Sequence, residues 1–375
     1  MRLNTRMLAL VGMLIYPALG ANASENCEVR SGCSGAALCA NPDDTSTAGA
    51  WSVGARTVKI QGLTVEVWYP AQDTASLAAG PKSYDMRLWL PAKEQSKVPA
   101  TKVPPQVCDC FADLPLDTEH GPYPVVLFAH GTGGFRTQTL SLMTHLASRG
   151  FVVLAADHPG LYLADLLQFK FGAKVSTDLQ SILKALRNEA PEVSFLKGKV
   201  ALNHIGLIGH SAGGNAVSSL SGLADVEFVV PMAAGGTSNG PDLKGSMILG
   251  ALNDKVVAYS RQQSAFNASP SPKRLIGLGN AGHLAFSDLC ALKNEDGEDM
   301  VAVAQKYKIA NAGFATGLWD GCSAGQLSPA LAATIVNYTV AAGAEEVLQC
   351  ADRSASFKNL KSRYKEVTEF KETLQ

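Results

Sequence analysis

The 375-residue chain lacks an excess of charge of either sign: 33 acidic residues stand against 32 basic ones, for a formal net charge of −1. No basic field is present to draw nucleic acid, so no nucleic-acid partner is expected. The N-terminal apolar run, Met7 to Leu19, is too short for a comfortable membrane span. No paired histidines accompany the cysteines, which argues against a zinc site, and Cys108-Asp109-Cys110 is tighter than the usual zinc half-site. The glycine-rich loop at Gly131 to Gly134 lacks the Lys-Ser/Thr ending of a phosphate cradle. Histidine is scarce: seven occur, and His283 alone follows residue 211. No metal and no cofactor is called for.

What is present suits a globular core, with 46% hydrophobic and 17% charged residues. The N-terminus reads as an export signal over residues 1–23. Arg2 and Arg6 form a basic region, Met7 to Leu19 an apolar one, and Ala21-Asn22-Ala23 a small-x-small cleavage site. All eight cysteines follow that site, and an even number in an exported chain points to disulfides. The expectation is a secreted or periplasmic protein without free thiols, with at least one bridge among Cys290, Cys322 and Cys350. Residues 24–50, rich in Gly, Ala, Ser and Cys, read as a disulfide-tied extension without its own core, and 51–375 as one domain.

Regular structure is expected from Thr57. Residues 57–60 and 63–69 alternate as strands about a Gln61-Gly62 turn. Residues 71–123 read as a long, loop-like excursion. Then strands and helices alternate. Val125 to Ala129, Phe151 to Ala156, His204 to Ile208, Phe228 to Met232, Met247 to Leu252 and Arg274 to Leu278 are apolar runs of the kind that sheets bury on both faces. Helical spacing covers Thr137 to Arg149, Ser176 to Asn188, Ser211 to Leu223 and Pro329 to Ala342. Such alternation implies an α/β chain with a mostly parallel sheet and helices on both faces, matching the α/β-hydrolase architecture.

Gly209, Ser211 and Gly213 fit G-x-S-x-G between a strand and a helix. There the glycines permit a sharp turn that exposes a serine at the carboxyl ends of the strands. A serine needs a base held by an acid, in the chain order Ser, Asp or Glu, His. His283 is the base that this order allows. Asp254, just past the run 247–252, is the preferred acid. Asp225 precedes a strand and Asp242 lies in a Gly/Pro loop, so both sit less well. Oxyanion donors are expected from the N–H of Ala212 and that of Thr132, or of its neighbour Gly131. His130 reads as a structural anchor. Residues 161–171, Leu-Tyr-Leu-Ala-Asp-Leu-Leu-Gln-Phe-Lys-Phe, suit an apolar lid, an acyl-binding wall, a lipid-surface contact or a buried crossover helix alike.

FAHGTGGFRTQ, LASRGFVVLAADHPG and IGHSAGG resemble platelet-activating-factor acetylhydrolases and their dienelactone-hydrolase-like bacterial relatives, as do the segments Val67 to Asp73 and Leu88 to Pro91. The likeness spans roughly residues 55 to 290. It implies a serine esterase with Ser211 as nucleophile, His283 as base, and Thr132 and Ala212 as oxyanion donors. In the animal acetylhydrolases the acid follows the strand after the elbow helix. Here that place reads Val230 to Ala234, without a carboxylate. The acid therefore falls to Asp254, as in dienelactone hydrolases and cutinase-like polyester hydrolases. True dienelactone hydrolases carry a cysteine where this elbow has Ser211. The expected substrate is a small-molecule, lipid or polymeric ester. The rival readings are a non-catalytic binding protein of the same fold, and an acyltransferase.

Overall fold

The computed structural model describes residues 27–72 and 80–375. The export segment read at 1–23 lies outside the described residues. One large sheet organises the rest. Its strands, in chain order, are β1 (Ser52–Ile60), β2 (Leu63–Ala71), β3 (Phe111–Ala112), β4 (Tyr123–Ala129), β5 (Val152–Ala156), β6 (Val200–His210), β7 (Val226–Met232), β8 (Gly245–Ala251), β9 (Lys273–Leu278) and β10 (Val367–Thr373). Across the sheet they run β10-β9-β8-β7-β6-β4-β5-β2-β1-β3. From β9 to β5 every neighbouring pair is parallel; β10 is antiparallel to β9, β2 is antiparallel to β5 and β1, and β3 joins β1 in parallel.

The apolar runs account for this sheet. Every residue of β4, β7 and β8 is buried, as strands covered on both faces must be. Successive side chains then sort by face. Val126 and Phe128 of β4 pack with Leu142, Met143 and Leu146 of α1 (Leu140–Ser148) and Ile335 and Val336 of the late helix Pro329–Leu348. Val125 and Leu127 face Leu179 and Ile182 of α2 (Val175–Arg187) and Val217 of α3 (Ala212–Ser218). On that same second face, Phe266 of α4 (Tyr259–Ala268) covers Ile248 and Leu275. Successive crossovers leave β4 on opposite sides of the sheet, so the strand order reverses beside β4. That reversal opens a crevice at the carboxyl edge.

Several boundaries differ from those read in the sequence. The elbow helix ends at Ser218, not Leu223, because serine hydroxyls there bond to nearby carbonyls: Ser219 Oγ donates to Ala216 O, and Ser221 Oγ to Ser238 O. The late helix runs six residues further than expected, to Leu348. Residues 80–123 are less loop-like than their composition suggests. Short turns there bury Tyr84, Met86, Trp89 and Val98 in the main core, and β3 joins the sheet edge. The last strand, Val367–Thr373, carries charged residues on an exposed edge and gives no apolar signal.

Four disulfides join all eight cysteines: Cys27–Cys39, Cys33–Cys350, Cys108–Cys110 and Cys290–Cys322. The expected bridge within the C-terminal trio exists as Cys290–Cys322, while Cys350 reaches back to Cys33. The N-terminal segment packs against the rest: Leu38, Cys39 and Trp51 are buried in the core on the second face of the sheet. The Trp51 indole N–H donates to Asp117 Oδ2 at 2.7 Å, and Asn41 Nδ2 to Glu345 Oε1 at 3.1 Å. Among the described residues, no helix is long and apolar enough to cross a membrane.

Candidate active site

Strand β6 ends at His210, and helix α3 starts at Ala212, so the chain reverses within one residue. Ser211 takes that turn with φ 54° and ψ −119°, a conformation unfavourable for any residue with a Cβ. It persists because the surroundings over-determine it. The Ser211 N–H donates to Met232 O at 2.8 Å, and Ser211 O accepts from Asn215 N at 3.0 Å. The turn also needs its two glycines. A Cβ on Gly213 would lie 2.2 Å from Ala129 O, and one on Gly209 2.5 Å from Gly213 O. Both distances are far inside contact, so neither position admits a side chain without moving a strand.

The other expected residues gather at the same edge. Asp254 follows β8, and His283 follows β9. Both are buried, and His283 Nδ1 donates to Asp254 Oδ2 at 2.8 Å. The second carboxylate oxygen of Asp254 accepts from the N–H groups of Val256 (2.8 Å) and Val257 (2.7 Å). Both oxygens of the carboxylate are thus engaged, and its plane is fixed toward the imidazole. Ser211, His283 and Thr132 line one cavity. Asp225 is elsewhere: it is paired with Arg187 at 2.8 Å, at the start of β7. Asp242 accepts from Asp225 N at 2.8 Å and lies at that same opposite end.

Behind the glycine loop runs a chain of hydrogen bonds that sequence reasoning missed. His210 Nε2 donates to His283 O at 3.0 Å. Burial, with His283 close by, pushes the His210 imidazole down to about 3, so it is neutral at ordinary pH. With its proton on Nε2, Nδ1 is an acceptor, and it takes Gln138 Nε2 at 2.9 Å. Gln138 Oε1 in turn accepts the Gly131 N–H at 3.1 Å. The relay couples the glycine loop to His283. It also commits the Gly131 N–H, which is therefore not free to face a reacting carbonyl. Among the described residues, neither the Thr132 N–H nor that of Ala212 has an acceptor in the chain.

Asp320 was also missed, since nothing near it in sequence marks it. Its Oδ2 accepts from both His283 N (2.9 Å) and Lys255 N (3.0 Å). One oxygen therefore ties the loop bearing His283 to the loop bearing Asp254. His130 is fully buried, accepts the His158 N–H at 3.1 Å, and is held well below its ordinary range by burial. It anchors the loop from beneath. Asp157 fixes the next residues: its Oδ1 accepts from Arg136 N (2.8 Å) and from the Trp89 indole (3.0 Å).

Of the segment 161–171, only Leu163–Leu166 is helical, and the crossover is made by α2 instead. Leu163 and Leu167 line the cavity, which makes the segment a wall of the site. Phe169 and Phe171 point outward and are 53% and 64% exposed.

One family model matches the chain, over residues 45–161. The match takes in β1 to β5 and the glycine loop, and stops before Ser211, Asp254 and His283. Across those residues the chain is a match to the family described as platelet-activating factor acetylhydrolase, isoform II, a family of the α/β-hydrolase type.

Proposed function

We propose that the protein is a serine esterase of the α/β-hydrolase fold, which hydrolyses carboxylic esters through an acyl-enzyme. The observation that carries this reading is the bond from His283 Nδ1 to Asp254, whose other oxygen is held by two backbone N–H groups, on the edge where Ser211 is held in its strained turn. The match to an ester-hydrolysing family supports the same chemistry.

In this mechanism His283 Nε2 takes the proton of Ser211 Oγ as the hydroxyl attacks the ester carbonyl. Asp254 keeps the other imidazole proton on Nδ1 and stabilises the imidazolium. The negative charge that develops on the carbonyl oxygen is met by the free N–H groups of Thr132 and Ala212. His283 then protonates the departing alcohol. Water repeats the sequence on the acyl-enzyme and frees Ser211. These steps need no metal or cofactor.

The chain reads as an exported enzyme, with residues 1–23 as its signal and residues 24–50 as an extension of the catalytic domain at 51–375. Four disulfides among the described residues support that placement.

The test is Ser211→Ala, assayed on p-nitrophenyl esters and with a fluorophosphonate probe. The variant is expected to fold, to lose labelling, and to lose roughly 10⁴-fold or more in rate. A well-folded variant within tenfold of wild type would refute the assignment.

A further inference from the structure

After His283 the chain does not pass directly to the late helix. Between Cys290 and Cys322, whose bond closes a separation of 32 residues, it makes an excursion bearing α5 (Met300–Lys306) and α6 (Ala312–Thr316). The excursion looks back at the site. Met300, Ala304, Ala312, Ala315, Leu318 and Trp319 line the same cavity as Ser211 and His283. Opposite stand Leu163 and Leu167. The two walls meet: Asn311 Nδ2 donates to Leu167 O at 2.8 Å, and the Phe314 ring stands edge-on to Phe169 at 5.5 Å.

The lining divides sharply by chemistry. Its polar groups, Thr132, Gln138, His210, Ser211 and His283, belong to the reacting end. No Asp, Glu, Lys or Arg lines the remainder, which is aliphatic and aromatic apart from glycine. Apart from the Trp319 indole N–H, which is buried without an acceptor among the described residues, a charged or strongly polar group placed there would lose its hydration without a partner. The cavity therefore fits an uncharged apolar chain. The chemistry indicates which part of an ester that chain is. The alcohol must leave, and water must enter, while the acyl group remains on Ser211. A walled recess suits the part that stays.

We infer that the Cys290–Cys322 excursion forms an acyl-binding wall, and that the enzyme prefers esters of apolar acyl groups longer than acetyl. This rests on the serine-esterase reading of the same site. The bridge has a physical role here, since it fixes both ends of the excursion and holds one of them beside Asp320. The wall and the His283 loop are thereby one unit.

Two ester series with the wild-type protein separate the acyl side from the alcohol side. Along p-nitrophenyl esters from acetate to octanoate, kcat/KM is expected to rise by about tenfold or more, since each buried methylene adds apolar contact. Along alkyl acetates from methyl to octyl it is expected to stay nearly flat. Ala304→Phe fills the recess, and is expected to lower the octanoate-to-acetate ratio of kcat/KM by about tenfold. Cys290→Ser/Cys322→Ser is expected to lower the same ratio by freeing the wall. Long- and short-chain alkyl fluorophosphonates supply a readout independent of turnover: the ratio of their labelling rates should follow the ester ratio. A flat acyl series, a rising alcohol series, or an Ala304→Phe ratio equal to wild type would overturn the inference while leaving the esterase intact. Loss of the esterase reading itself would look different, with no ester cleaved and Ser211 unlabelled.

Discussion

Asp254→Asn exchanges one carboxylate oxygen for an NH₂ group, yet under the proposed mechanism it should disable the base. Asp254 Oδ1 accepts two backbone N–H groups, from Val256 and Val257, while Oδ2 accepts His283 Nδ1. An asparagine must choose which end to keep oxygen at. Turning its amide group toward Val256 and Val257 would leave two N–H donors unpaired, at about 1–3 kcal/mol each. The oxygen therefore stays with the backbone, and the NH₂ faces His283. Nδ1 must then become the acceptor, and the imidazole proton moves to Nε2. In the proposed mechanism that is the atom that accepts a proton from Ser211. The expected loss in kcat is roughly 10⁴-fold, or about 5.5 kcal/mol of barrier. Steady-state hydrolysis of a p-nitrophenyl ester measures it, with a thermal melt to establish that the near-isosteric variant folds. Asp225→Asn is the control. Its exposed pair with Arg187 lies at the other end of the strands, so the rate should change little. Activity of Asp254→Asn within tenfold of wild type, or an equal loss in Asp225→Asn, would refute the assignment of the acid.

Two further outcomes follow from the fold. Mature protein should contain no free thiols. Removing Cys33–Cys350, which spans 317 residues, should destabilise most, by up to about 5 kcal/mol, while removing Cys108–Cys110 should matter least; melting temperatures of the paired Ser variants check the order. Stability should also fall on acidification below neutral pH. Burial lowers His145 to about 4 and His210 to about 3, so both bind a proton more readily when unfolded than when folded. Their stabilising contribution is complete above about pH 6.5 and is lost as pH falls through that value toward the folded ones. Each contributes a slope of about 1.4 kcal/mol per pH unit within that window. Denaturant midpoints from pH 7 to 4.5 test this, and a flat profile would contradict it.

The sequence by itself determined the serial α/β order, because strands buried on both faces must be apolar throughout and helices on such a sheet must carry one apolar stripe. It also placed the Ser211 turn, since few local patterns other than G-x-S-x-G pass from an apolar strand straight into a helix. His283 was legible by scarcity, there being no other histidine beyond the elbow. Asp254 was legible by position, at the end of a strand rather than before one. What remained was set by contacts between residues far apart in the chain. Asp320 lies 37 residues past His283, in a stretch without a marked pattern, and only folding brings its carboxylate to the His283 N–H. The Gln138–His210 relay joins residues 72 apart, and its direction depends on burial that keeps His210 neutral. The role of 161–171 was undecidable alone, because an apolar run serves a crossover, a lid or a wall equally well. The excursion after His283 supplied the opposite wall and so made it part of the cavity. Disulfide pairing was undetermined for the same reason: cysteine spacing records distance along the chain, while Cys33 and Cys350 pair because the N-terminal segment folds back against the end of the late helix.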